Sequence, residues 1–402
     1  MLIGLVGKPS VGKSTFFKAA TLAEVAIASH PFTTIKANHG IGYVKVDCID
    51  KEFSTQCNPN HGFCINHKRF VPVELMDVAG LVPGASEGKG LGNQFLDDLR
   101  EADAFIQIVD ISGKSDFEGK ILNEGEIHDP ADDVRFLEDE LNKWYHNIFM
   151  KAWKSFAKKA KTEARNNEDF SKLVAKQFSG LKINEEDVKD VLRGMDSVKN
   201  PDTWTESQLM DFSSELRKKS KPMIIAANKI DELNAEENFE KLKKEFPNLI
   251  IIPCSADSEL ALREAAKIGL IDYIPGEKNF KISEGSKINE KQKQALETIK
   301  KKVLEKFSSG TGVQEVLNKA VFDLLEFIAI FPAGANKLGD SKGRILPDCF
   351  LLPKGSTALD FAYYLHTDFG DNFIKAIDAR TKKALGKSYQ LKNRDALEIV
   401  TR

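Results

Sequence analysis

Gly7-Lys8-Pro9-Ser10-Val11-Gly12-Lys13-Ser14 fits the pattern G-x-x-x-x-G-K-[ST]. It follows the apolar run Leu2–Val6 and precedes a helical pattern that begins at Thr15. This is the chemistry of a polyphosphate cradle. Gly7 and Gly12 let the backbone curl so that its N–H groups converge, and a helix N-terminus adds favourable partial charge. Within the candidate loop Gly7, Lys8, Pro9, Ser10, Val11, Gly12, Lys13, Ser14 and Thr15, Lys13 would reach the β- and γ-phosphates and the Ser14 hydroxyl would bind Mg²⁺.

Three more polar loops follow apolar runs in order. Asp77-Val78-Ala79-Gly80 comes after Phe70–Met76. Its carboxylate suits an outer contact to Mg²⁺, and the Gly80 amide could sense the γ-phosphate. Asn228-Lys229-Ile230-Asp231 comes after Met223–Ala227. Guanine presents two adjacent donors that one carboxylate accepts, whereas adenine presents an acceptor there. Asp231 therefore favours guanine, and a mismatch of this kind discriminates strongly. Asn228 would brace the loop, and the Lys229 stem would lie over the purine. Cys254-Ser255-Ala256 comes after Leu249–Ile252; there Ser255 and Ala256 form the contact loop, with the Ala256 amide near the guanine O6. Four polar loops at the carboxyl ends of strands is the arrangement by which α/β sheets bind ligands.

The elements that must hold these loops are short apolar runs alternating with helical patterns. Residues 1–112 and 205–275 read as one interrupted α/β domain with a mostly parallel sheet. Residues 113–204 read as a helical insertion, a coiled-coil arm. Asp129-Pro130 opens a long helix whose apolar stripe runs through Val134, Leu137, Leu141, Trp144 and Ile148 to about Arg165. Further helices are expected around Phe170–Phe178, from Asn184, and from a capping box at Thr205 and Gln208. Residues 276–326 read as a helical connector, and 327–402 as a small mixed α/β domain.

The 402 residues carry 58 Lys+Arg against 60 Asp+Glu, a net charge of −2, which excludes a chain that is basic throughout but not a local basic face. No run approaches the ~18 apolar residues of a membrane span. Met1–Val6 is too short for a signal peptide, and five cysteines are too few and odd in number for a secreted disulfide scaffold. A cytoplasmic location without a membrane partner is expected, with a monomer favoured.

These loops, together with the glycine-rich stretch Asp77–Phe95, resemble the Obg-related GTPases, and in particular their archaeal and YchF-like branch. The likeness extends over the whole chain. Pro31-Phe32-Thr33-Thr34 resembles the family's switch I, which implies that Thr34 coordinates Mg²⁺ beside Ser14 and Asp77. Leu352-Pro353-Lys354-Gly355-Ser356-Thr357, Asp360-Phe361-Ala362-Tyr363 and Leu365-His366 resemble a TGS domain, a small β-grasp-like module. YchF proteins of bacteria and eukaryotes are similar to ATPases with an altered base-reading motif; this chain retains Asn228-Lys229-Ile230-Asp231, which implies GTP. Ser10 stands where potassium-stimulated relatives often carry Asn, so the resemblance leaves a potassium requirement undecided.

Many GTPases place a water-orienting Gln directly after D-x-x-G. Here that residue is Leu81, which can neither donate nor accept, so slow intrinsic turnover is expected, with Lys13, Thr34 and Gly80 supplying transition-state stabilisation. Gly84, Gly88, Gly90 and Gly92 would make the following loop pliable. Family likeness implies a ribosomal or other RNA partner. Lys151, Lys154, Lys158, Lys159, Lys161 and Arg165, with Trp153 and Phe156 interleaved, form one candidate surface for it. Lys375, Arg380, Lys382, Lys383, Lys387, Lys392 and Arg394 form another. The balanced alternative for the first is a solvated helix face. Cys48, Cys57, His61, Cys64 and His67 offer soft ligands for Zn²⁺, but their spacing matches no standard finger, and a hairpin with incidental Cys and His is the favoured alternative.

Overall fold

The computed structural model describes residues 1–22, 38–78, 80, 99–123, 125–164, 167–195, 201–340 and 342–402. The apolar runs read from the sequence become β1 (Leu2–Val6), β4 (Lys68–Asp77), β5 (Ala104–Asp110), β6 (Met223–Asn228) and β7 (Ile250–Pro253), with β2 (His39–Asp47) and β3 (Phe63–Ile65) between the first two. Among the described residues they form a seven-stranded sheet in the order β2-β4-β1-β5-β6-β7, with β3 beside β4. From β4 to β7 every pairing is parallel; β2 and β3 run antiparallel to β4. Strands β1, β5 and β6 are buried at every position, which is why they read as unbroken apolar runs rather than alternating ones.

Strand β2 escaped the apolar-run reading because Gly40 and Gly42 interrupt it. Packing explains both glycines. A Cβ on Gly40 would lie 2.6 Å from the Phe17 ring, and one on Gly42 would lie 2.6 Å from Leu75. No side chain fits either position without displacing a neighbour.

Each face of the sheet has its own cover. Ile3, Leu5, Ile106, Ile108, Ile224 and Ala226 pack with Phe16 of the helix Lys13–Thr21 and with Val313, Val316 and Leu317 of the helix Val313–Lys319. Leu2, Phe105 and Met223 face the other way, onto Leu137, Leu141 and Trp144 of the helix Pro130–Glu163. That helix starts as its sequence predicts: the Asp129 side chain accepts from the Ala131 amide, and Pro130 occupies the first turn. It runs for 34 residues, about 50 Å at 1.5 Å per residue. Its first turns cover the sheet and its remainder projects as the insert.

The projecting part closes on an aromatic core with the helices Asn167–Gln177, Glu185–Gly194 and Glu206–Ser220. Capping boxes at Asn184/Asp187 and Thr205/Gln208 start two of them. Phe149 stacks on Phe178 at 3.9 Å between ring centroids, and Trp153 stacks on Trp204 at 5.0 Å. Trp153 and Phe156 are thus 7% and 5% exposed; they are core residues, not stacking groups in a basic face. The apolar stripe of the helix, not its lysines, decides which way they point. Lys151, Lys154, Lys158, Lys159 and Lys161 remain exposed on the outside, with Lys161 paired to Asp202 at 2.8 Å; Arg165 lies outside the described residues.

A two-stranded ribbon, β8 (Ile271–Tyr273) with β9 (Phe280–Ile282), comes next in the chain. The C-terminal part is a five-stranded sheet in the order β11-β10-β14-β12-β13, built from β10 (Phe327–Pro332), β11 (Phe350–Pro353), β12 (Phe373–Asp378), β13 (Ala384–Leu385) and β14 (Ala396–Thr401). The helix Ala358–Leu365, capped by Thr357 and Asp360, packs on it through Phe361. Two residues of the expected basic tail are used internally: Arg380 and Arg394 both bind Glu52, and Arg394 Nε donates to the Asp47 carbonyl at 3.0 Å. Lys375, Lys382, Lys383, Lys387 and Lys392 stay exposed. Among the described residues no helix is long and apolar enough to cross a membrane.

All three tryptophans of the chain, Trp144, Trp153 and Trp204, lie in or against the one buried cluster that joins the sheet face to the insert, so their fluorescence reports that bundle. Phe149→Ala removes a fully buried ring and is expected to destabilise the bundle by ~3–5 kcal/mol. The check is a lowered denaturant midpoint followed at the tryptophan emission.

Candidate nucleotide site

The phosphate loop takes the backbone shape that its glycines permit. Gly7 and Gly12 have φ of 148° and 96°, values that L side chains rarely adopt. A Cβ on Gly12 would lie 2.4 Å from Asn228 Nδ2, and one on Gly7 would lie 2.5 Å from the Ile108 carbonyl. Gly12 caps the helix Lys13–Thr21, so its first N–H groups face the loop.

Asn228 joins three segments. Its Nδ2 donates to the Val11 carbonyl at 2.8 Å and its Oδ1 accepts from the Ala256 amide at 3.0 Å. The side chain is 3% exposed, so both bonds form away from water, where losing either partner is costly. Ala256 therefore places its N–H on Asn228; the direct contact to a purine oxygen expected of it would compete with this bond. Ser255 turns its hydroxyl to Ser258 Oγ at 2.8 Å, and its amide donates to the Thr311 carbonyl at 2.8 Å. What Ser255 supplies is the loop's shape.

Lys229 sits at φ 64°, and its ammonium bridges the Ser10 carbonyl at 3.1 Å and Asp110 Oδ2 at 2.7 Å. Its stem thus spans from the base-reading loop to the phosphate loop. Asp110 is the last residue of β5 and was not read from the sequence as part of the site. Its signal was available: an acidic residue ending an apolar strand, as Asp77 ends β4. Burial alone would raise the Asp110 carboxyl, but hydrogen bonds from Lys229, Ser112 and Ser115 outweigh it and hold the group below its ordinary value.

Lys8 turns away from the loop. It is 3% exposed and pairs with Asp133 at 2.9 Å and with the Ser115 carbonyl at 2.7 Å. This ties the phosphate loop to the long helix and to the segment after β5; Gly119 of that segment lies so close that a Cβ would be 2.8 Å from Pro9 and from Ser10 Oγ. The carbonyl of Lys8 accepts from Lys13 Nζ at 2.8 Å. Gly80 also lies against the loop, with an added Cβ 3.0 Å from the Pro9 nitrogen.

Ser14 Oγ donates to Asp77 Oδ2 at 3.0 Å. A hydroxyl and a carboxylate placed together at the loop's open end are hard oxygen donors, and they fit Mg²⁺. Thr34, Ala79, Leu81 and the glycines 84–92 lie outside the described residues. The Cys/His set is elsewhere: Arg69, opposite Cys64 in the β3–β4 pairing, is eight residues up β4 from Asp77, about 26 Å at 3.3 Å per residue.

Burial lowers Lys13 from 10.5 to about 8, against the opposing pull of the Asp77 carboxylate. Its folded value lies below its unfolded one, so at pH 7 the ammonium is charged, and above about 8 it is neutral in the free chain. Anionic phosphates at the loop would restore the proton. Nucleotide binding is therefore expected to take up a proton at about pH 9 and none through Lys13 at about pH 7, read by calorimetry in buffers of different ionisation enthalpy. Gly12→Ala meets both the positive φ and Asn228, and is expected to abolish nucleotide binding while the far-ultraviolet circular dichroism stays unchanged.

Comparison with known proteins places this geometry. The family pattern described as "50S ribosome-binding GTPase" matches residues 2–146, "Obg-like GTPase YGR210-like, G4 motif-containing domain" matches 226–334, and "TGS domain" matches 332–401. An uncharacterized GTP-binding protein of Methanocaldococcus jannaschii is 50% identical over 401 residues, covering 100% of this chain and 99% of the relative. One of Schizosaccharomyces pombe is 36% identical over 369 residues, covering 89% and 88%. The solved structure of a GTP binding protein from Pyrococcus horikoshii is 39% identical, covers 100% of both chains and superposes with a TM-score of 0.78. The ribosome-binding ATPase YchF of Mycoplasma genitalium is 35% identical over 244 residues, covering 60% of this chain and 59% of that protein. The chain belongs to the Obg-like GTPases, in the branch related to YchF, and carries a C-terminal TGS domain.

Proposed function

We propose that this chain binds GTP with Mg²⁺, hydrolyses it slowly on its own, and uses the bound nucleotide to control association with the ribosome or another RNA assembly. The observation that carries the guanine reading is the base-reading loop. Asn228 anchors it to the phosphate loop by buried hydrogen bonds, Lys229 spans the gap, and Asp231 is half-buried with no side-chain partner among the described residues. Its carboxylate remains for the two donors of a guanine edge.

Each side chain has a place in the reaction. The amides of the phosphate loop and Lys13 hold the phosphates and oppose charge that builds on them. Ser14 and Asp77, with Thr34 from switch I, would hold Mg²⁺, which neutralises phosphate charge when bound. Gly80 brings its amide to the γ-phosphate side. Leu81 supplies no hydrogen bond to an attacking water, so turnover waits on a partner or on a loop rearrangement that completes the site. The ribosomal reading rests on the names of relatives and on the exposed lysines of the long helix and the C-terminal sheet.

Several relatives are named ribosome-binding ATPases, so base preference is the discriminating measurement. Competition against a fluorescent GDP in Mg²⁺ is expected to favour GTP over ATP by about 100-fold or more. Asp231→Ala is expected to erase that preference. Equal displacement by ATP would overturn the guanine reading. Co-sedimentation with ribosomes is expected to differ between GDP and a non-hydrolysable GTP analogue, and to lose that difference in Lys13→Ala; nucleotide-independent binding would instead make the chain an adaptor.

A further inference from the structure

The segment between β2 and β4 brings three thiols and a carboxylate to one point. Cys48, Asp50, Cys57 and Cys64 each offer a ligand atom, and those atoms all lie within 4.8 Å of one another. Cys48 Sγ is 3.6 Å from Cys57 Sγ, and Cys64 Sγ is 3.9 Å from Asp50 Oδ2. Two thiolates bound to one tetrahedral Zn²⁺ at about 2.3 Å must stand about 3.8 Å apart. The cluster is thus near the size of a closed four-ligand site.

The surroundings fit a metal better than three neutral thiols. Asp50 is fully buried. Its second oxygen is held by His67 Nδ1 at 2.9 Å, while Oδ2 faces the sulfurs and accepts from the Cys57 amide at 3.0 Å. An outer group that fixes one carboxylate oxygen and leaves the other facing inward is the usual support of a metal ligand. Arg69, opposite Cys64 across the β3–β4 pairing, is 1% exposed. It donates to the Leu346 and Pro347 carbonyls at 3.0 and 2.7 Å, and its Nε has no partner. Among the described residues no carboxylate pairs with it. A buried guanidinium needs a counter-charge, and a thiolate-rich metal site beside it provides one.

We propose that Cys48, Asp50, Cys57 and Cys64 bind one structural Zn²⁺. Three soft thiolates select zinc over Mg²⁺, and four protein ligands leave no open position, so the role is structural. Metal entry releases the three thiol protons to solvent. The membership differs from the one the sequence offered. His61 is not among the four, His67 acts through Asp50, and Asp50 itself was missed although it stands two residues after Cys48.

The position says what such a metal would hold. The clasped segment supplies the surface on which the loop between the first two strands of the C-terminal sheet rests. The amides of Asn58 and Asn60 donate to the carbonyls of Ile345 and Pro347 at 2.8 and 2.7 Å, and Arg69 donates to those of Leu346 and Pro347. A metal here fixes the docking platform of the TGS domain, remote from the phosphates.

The test is metal analysis of the full-length chain prepared under reducing, zinc-sufficient conditions. About one zinc per chain is expected, falling to background in Cys57→Ser, Cys64→Ser and Asp50→Asn but retained in His61→Gln. Zinc retained in Cys57→Ser, or lost in His61→Gln alone, would overturn the ligand set. To separate metal loss from misfolding of the ligand variants, Co²⁺ is also titrated into the metal-stripped, unmutated chain. Thiolate-to-cobalt charge-transfer bands with tetrahedral d–d intensity, saturating at one equivalent, are expected. Their absence, or a Cys48–Cys57 disulfide found by mass spectrometry in the reduced preparation, would overturn the proposal.

Discussion

The Asn228 carboxamide is the constraint on which the site depends. One side chain donates to the phosphate loop at Val11 and accepts from the third polar loop at Ala256, while its own backbone ends β6. Three loops that arise far apart in sequence are thereby set at one spacing. The geometry works only because Gly12 has no Cβ: any side chain there would occupy the position of Asn228 Nδ2. The glycine of the phosphate loop thus serves two needs, a left-handed backbone and room for the clamp.

Around this clamp the fold builds rigid supports rather than further binding groups. Lys8 is used to fasten the phosphate loop to Asp133, and Lys229 fastens it to Asp110. Both cations are close to charges that are buried, where pairing is strong and an unpaired partner is costly. On the base side, the turn at 311–312 backs the Ser255–Ala256 loop. Gly312 lies so close to the Pro253 carbonyl that an added Cβ would fall 2.0 Å from it. Glu259 then gathers Arg263, Tyr273 and Thr311. The segment that reads as a connector is therefore part of the wall that holds the nucleotide loops, which links the C-terminal half of the chain to the site.

The two ends of β4 serve different tasks. Asp77 at one end meets Ser14, while Arg69 at the other meets the loop between the first two strands of the C-terminal sheet. Glu52, Arg380 and Arg394 reinforce that second contact. The TGS domain is held by an apolar seam through Phe331, Leu346 and Cys349 together with main-chain carbonyls and charged pairs, and its lysines are left outside.

Much of this was legible in the residues alone, wherever the cause is local. The phosphate loop, the strands that lead into Asp77, Asn228 and Cys254, and the helix starts at Asp129, Asn184 and Thr205 depend on glycine backbone freedom, apolar periodicity and capping, all of which act within a few residues. Strand β2 was hidden because its glycines answer to Phe17 and Leu75, neighbours set by packing. Trp153 and Phe156 read as surface groups until the insert closed over them. The inward turn of Lys8, the part played by Asp110, the docking use of Arg380 and Arg394, and the meeting of Asp50 with three cysteines were likewise decided only in three dimensions. Each depends on a partner far along the chain, and residue spacing carries no information about which distant segments a buried charge or thiol will meet.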